Sequence, residues 1–107
     1  MSARIAELND LLRNTFLTGK VVLTEGISAL PDDKREAVIT AVRTFTAFAE
    51  GDDPYGEHDF GAFEIDDVGT VFWKIDYYDA DYQYLSPDPA DPAVTRRVLT
   101  IMLAEEY

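Results

Sequence analysis

Six stretches of the chain carry a readable pattern of apolar and polar positions. Over residues 3–15, Ile5, Leu8, Leu11 and Leu12 recur at helical spacing behind Ser2, a residue suited to an N-cap, and predict a first helix. Residues 20–24, Lys-Val-Val-Leu-Thr, are short and β-branched between Gly19 and Gly26, and predict a strand. Pro31 opens a second helix over 32–49. Asp32, Asp33 and Glu36 suit its positive N-terminal end, while Ala37, Val38, Ala41, Val42, Phe45 and Phe48 form one stripe. Gly51 fits its end.

Residues 60–66 and 70–79 read as two strands around the hairpin loop Asp66-Asp67-Val68-Gly69. In the second, Val71, Trp73, Ile75 and Tyr77 alternate with Phe72, Lys74, Asp76 and Tyr78. The first set faces the core; the second meets solvent or a partner. Asp91-Pro92 suits the start of a last helix over 92–106, with Val94, Val98, Ile101, Met102 and Glu105 as its stripe and Leu99 and Leu103 widening it.

The element order is α-β-α-β-β-α. It predicts an α+β fold: a small three-stranded, mainly antiparallel sheet with helices packed on one face. Residues 1–107 are read as one domain. Trp73, Ile75, Val42, Phe45, Val98 and Ile101 are the expected core. No apolar run approaches the roughly 18 residues that a membrane span needs, and Met1 to Glu7 lack a leader pattern. With no cysteine, disulfide frameworks and zinc–thiolate sites are excluded, and a cytoplasmic location is expected.

Charge changes the picture. Nine bases against twenty-one acids leave a net charge of −12, and residues 50–91 hold thirteen of the acids with one base, Lys74. Direct nucleic-acid binding calls for the opposite sign, and so does an anionic membrane surface.

The loop Gly51 to Asp59 contains the only histidine. Glu57, His58 and Asp59 could serve as general acid–base groups, with Lys74 and Asp76 nearby on one strand face. Asp53, Glu57, His58 and Asp59, with Asp52 beside them, could ligate a divalent cation. The structural alternative has the acids bonding loop amides, His58 bracing a turn, and Lys74 pairing with Asp76; it is the favoured one. No nucleophile elbow, phosphate loop, dinucleotide fingerprint or paired-histidine metal motif is present, and no cofactor is expected.

Residues 50–91 also hold nine of the thirteen aromatics. Asp76, Tyr78, Asp79, Asp81, Tyr82 and Tyr84, together with Tyr77, suit a protein-binding surface: tyrosine supplies contact area and carboxylates steer a basic partner.

Four strings carry a resemblance: Pro54 to Gly61 (PYGEHDFG), Phe72 to Asp79 (FWKIDYYD), Ser86 to Pro92 (SPDPADP) and Thr95 to Tyr107 (TRRVLTIMLAEEY). Together with Leu23-Thr24 and Val42-Arg43-Thr44-Phe45, they resemble a small bacterial family of unknown function, associated with alphaproteobacterial genomes and plasmids. The resemblance covers residues 14–107. It implies no catalytic residues, and its plasmid setting implies an accessory role such as defence evasion or plasmid maintenance.

The leading expectation is therefore a non-enzymatic acidic interaction module that docks a basic protein partner, as an inhibitor or DNA mimic. Its rivals are a small enzyme or divalent-metal-binding protein centred on Glu57, His58 and Asp59, and a structural subunit of a homo-oligomer.

Overall fold

The computed structural model describes residues 2–107. Helix α1 (Ser2–Thr15) leads into strand β1 (Lys20–Leu23), a one-turn helix α2 (Glu25–Ser28) and helix α3 (Asp32–Arg43). Strands β2 (Phe60–Ile65), β3 (Gly69–Tyr78) and β4 (Arg96–Leu103) follow, then a 3-10 turn over Ala104–Glu106. The capping role expected of Ser2 rests on a side chain outside the described part of the chain.

The fold is α+β, with a four-stranded mixed sheet in the order β1-β4-β3-β2. β1 runs parallel to β4, and the other pairs are antiparallel. This corrects the expected three-stranded sheet, and the reason is the segment expected as a helix over 92–106. Its residues Arg96–Leu103 form β4, which lies between β1 and β3, while Asp91-Pro92 opens a turn rather than a helix. Arg97, Leu99 and Ile101 point to the helix side and are buried, yet Met102 on the other side is also buried, at 3% exposure. Burial alternates along β4 up to Ile101, but the near-continuous apolar run Val-Leu-Thr-Ile-Met-Leu hides the period-2 signal in the sequence and mimics a helix stripe.

The second helix ends at Arg43 rather than 49. Thr44, Phe45 and Thr46 break the helix with β-branched and aromatic residues. Phe45 and Phe48 nevertheless reach the core from irregular backbone, their rings 5.5 and 6.1 Å from that of Trp73.

Leu12 of α1, Ile27 of α2, and Val38 and Val42 of α3 pack with Val71, Trp73, Ile75, Leu99 and Ile101 in one cluster. The register places all five sheet residues on one face, so the three helices share that face and leave the other without helical cover. Val98, expected in the core, sits on the uncovered face and is half-buried. Gly61 lies opposite Trp73 in the ladder, and a Cβ there would meet the indole Nε1 at 2.3 Å. Glycine is what lets the edge strand close over the ring.

Candidate functional site

His58 stands at positive φ (57°), where its N–H donates to Asp53 Oδ1 at 3.0 Å. Its ring stacks flat on Phe48, centroids 3.9 Å apart. Nδ1 lies 3.0 and 3.1 Å from the two oxygens of Asp10, and Nε2 lies 3.8 Å from Asp53 Oδ2. The partner across the imidazole is thus Asp10 of α1, not the adjacent Glu57 or Asp59. Asp10 also accepts from Arg13, which is 3% exposed and donates to Val42 O at 2.9 Å. The Arg13 guanidinium lies over the rings of Phe48 and Trp73, 5.4 and 5.2 Å from their centroids. His58 therefore joins the loop before β2 to α1. A cleft of about 420 Å³ opens beside it, lined by Asp10, Arg13, Asn14, Arg43, Phe48 and His58 among others.

Glu57 belongs to a different network. Its carboxylate accepts from Tyr77 OH at 3.2 Å, and its carbonyl from Asn9 Nδ2 at 3.0 Å. Asn9 is fully buried; its second amide hydrogen goes to Tyr77 OH at 2.8 Å, and its oxygen takes Arg97 Nε at 2.7 Å. Arg97, at 4% exposure, also donates to Pro89 O and lies over the Tyr77 ring. Burial pushes the Tyr77 phenol well above its ordinary value, and the Asp59 and Glu57 charges add to that. Burial pulls the Arg97 guanidinium below its usual value. The Asp59 carboxyl is raised, first by burial and then by the Glu57 charge, with Asp53 and Asp76 adding to it. Neither Asn9 nor Arg97 was singled out in the sequence, because a buried polar pair 88 residues apart leaves no local pattern.

Lys74 and Asp76 pair at 3.1 Å on the helix-free face of the sheet, whereas the His58 ring packs on the helix side against Phe48. The five acid–base candidates are thus divided between two faces. Among the described residues, no three histidine or carboxylate side chains converge at metal-binding distance.

Tyr77 faces α1 through Asn9, and the other tyrosine-rich candidates gather at one end of the helix-free face. Tyr78 and Tyr82 lie 6.3 Å apart, and Lys20 Nζ sits 4.4 Å from the Tyr82 ring. Asp79 turns its carboxylate inward to accept the amides of Asp81 and Gln83, which fixes the turn. Tyr84 and Leu85 stand out at 74% and 79% exposure. Farther along the same face, Phe60, Phe72 and Tyr107 form an aromatic triangle with centroids 5.4 to 6.4 Å apart. Phe72 was assigned to this face from its alternation. Phe60 and Tyr107 were not, since Tyr107 reaches it only through the turn after β4.

A family model described as "Protein of unknown function (DUF3768)" matches residues 23–106. The chain belongs to this family. Comparisons with curated proteins and with solved structures found no match. The DUF3768 segment contains β2, β3, β4 and the loop of His58, while α1, the source of Asn9, Asp10 and Arg13, precedes it.

Proposed function

We propose that this DUF3768 protein is a non-enzymatic interaction module that docks a basic protein partner through the helix-free sheet face and the adjoining turn over residues 79–85. One observation carries the reading: that face holds Phe60, Phe72, Tyr78, Tyr82 and Tyr107 at partly or fully exposed positions, beside the protruding Tyr84 and Leu85. Aromatic side chains on an otherwise uncovered sheet face suit a contact surface. The face itself is mixed in charge, with Lys20, Lys74 and Arg96 beside Asp76, Asp79 and Asp81. The acid excess lies around it, in the loops near 50–59, 66–67 and 79–91. Steering of a basic partner therefore comes from the net charge of −12, and contact comes from the aromatics. A bacterial, plasmid-borne setting, implied by the resemblance of the sequence strings, agrees with an inhibitor of a nucleic-acid-binding protein.

The test is co-purification from native host cells with the wild type and with a Phe72→Ala/Tyr84→Ala/Leu85→Ala variant, at low and high salt. A basic protein captured by the wild type, weakened by salt and lost from the folded variant, supports the reading. Equal capture by both chains, or no capture of a basic protein, overturns it.

A further inference from the structure

Arg97 is the most deeply placed cation without a carboxylate. It is 4% exposed, yet among the described residues no acid lies within ion-pairing distance of it. Its hydrogen bonds use Nε, on Asn9 Oδ1, and Nη2, on Pro89 O. Nη1 makes none among the described residues, and it is not among the atoms sealed away without a partner. It is therefore the edge of the guanidinium that meets open space.

The space it meets is a cleft of about 240 Å³ lined by Leu8, Leu11, Thr18, Pro92, Thr95 and Arg97. Leu8 and Leu11 come from α1, and Pro92 from the loop before β4. Thr95 offers nothing to a ligand anion, because its hydroxyl donates to Asp88 O at 2.7 Å. Apart from Thr18 the remaining walls are apolar, and among the described residues Arg97 is the one charged group that lines the cleft. Arg4 precedes Leu8 and Leu11 at i, i+4, i+7 spacing and lies close enough to act electrostatically on Arg97. Glu57 is the acid whose charge also reaches Arg97, but it is linked through Asn9 and Tyr77 rather than by an ion pair, so Nη1 is left open to an added anion. Burying a cation without a direct ion pair is costly, and a ligand carboxylate accepting from Nη1 would lower that cost.

We propose that this cleft binds a small apolar monocarboxylate, its carboxylate on Arg97 and its hydrocarbon part against Leu8, Leu11 and Pro92. A volume of 240 Å³ corresponds to about eight water-sized groups, which suits a short aliphatic acid rather than a long fatty chain. The site is on the helix side of the molecule, apart from the helix-free docking face, so either assignment can fail without the other.

The test uses hexanoate as probe and hexanol as its neutral counterpart, followed by the guanidinium cross-peaks of Arg97 in ¹H–¹⁵N NMR spectra of the intact chain. Hexanoate is expected to shift them saturably, with hexanol about tenfold or more weaker, since hydrogen bonds to charged groups are worth about 1.5–3 kcal/mol. Leu11→Trp fills the cleft from a position that is 47% exposed, so the core is left intact; hexanoate binding should be lost. Arg4→Gln, at an exposed position, should weaken it. Equal binding of hexanoate and hexanol overturns the proposal. So does a cross-peak unmoved by hexanoate, or binding that survives in Leu11→Trp.

Discussion

Replacing Gly61 by alanine adds one carbon at the tightest point between the edge strand and the core. That Cβ would stand 2.3 Å from Nε1, 2.6 Å from Cε2 and 2.8 Å from Cζ2 of Trp73. The indole cannot retreat easily: it is fully buried, with Phe45 and Phe48 edge-on and the Arg13 guanidinium over its face. The alternative is for β2 to move outward, breaking its ladder to β3 around the Gly61–Trp73 pair. Overpacking costs about 1–3 kcal/mol, and a rigid, enclosed target places this case near the top of that range. For a domain of this size each kcal/mol lowers Tm by about 4–8 °C, so a fall of about 10–20 °C is expected. Denaturant titration followed by far-UV circular dichroism measures the loss. A cycle with Trp73→Phe isolates its cause, because the smaller ring vacates the space the new methyl needs. The double variant should be more stable than the sum of the single losses predicts, by about 1 kcal/mol or more. A Gly61→Ala loss below about 0.5 kcal/mol, or a strictly additive cycle, would refute the packing argument.

Asp59→Asn should raise Tm at neutral pH. Its carboxyl is raised in the folded state, so the stability it contributes is fully present below the unfolded value of about 3.9 and is lost as pH rises through the folded value. The advantage of the asparagine variant should accordingly vanish in acid, and thermal melts that show the same advantage at every pH would contradict it. His58→Ala and Asp10→Asn should be coupled by about 0.5–1 kcal/mol in a double-mutant cycle, modest because both side chains are about a third exposed. Independent effects would mean that the 3.0 Å contact does not tie the loop to α1. Moderate sodium chloride should raise Tm, since a net charge of −12 repels itself and screening reaches about 10 Å at 0.1 M salt. A fall in Tm would show that ion pairs such as Lys74–Asp76 outweigh the repulsion.

How much of this was legible depended on the range of the interaction that fixed each element. The first helix and the β2–β3 hairpin were readable because their periodicity and turn residues are local. In β3, Val71, Trp73 and Ile75 are buried as the alternation required. β4 was not readable, since its strand identity comes from β1 and β3 on either side of it and from Met102 being covered on the second face. The overlong second helix has a similar origin: Phe45 and Phe48 keep helical spacing but earn their burial from Trp73. At the candidate site, the Lys74–Asp76 pair follows from period 2 alone. The partner of His58 does not, because Asp10 lies 48 residues away in the chain. Arg97 reads as a surface base in an Arg-Arg pair, and only the fold shows that one of the two is buried.

The polar interior points to the role of α1. Asn9, Asp10, Leu12 and Arg13 lie outside the DUF3768 match, yet each is committed to residues within it. Asn9 satisfies Arg97 and Tyr77, Asp10 holds His58, Arg13 meets the end of α3 and the Trp73 ring, and Leu12 belongs to the core cluster. A buried hydrogen-bonding group left without its partner costs about 1–3 kcal/mol, more when charged. Removing α1 would strand several such groups at once, with Arg97 and Tyr77 the most exposed to the loss. The structural unit is therefore larger than the matched segment, and both clefts exist because α1 closes one side of each. The helix-free face owes nothing to α1: its side chains come from the sheet, the 79–85 turn and Tyr107. The molecule is thus divided physically into a helix-free face built mostly by the matched segment, with Lys20 and Tyr107 added from just outside it, and a helix side whose clefts α1 completes.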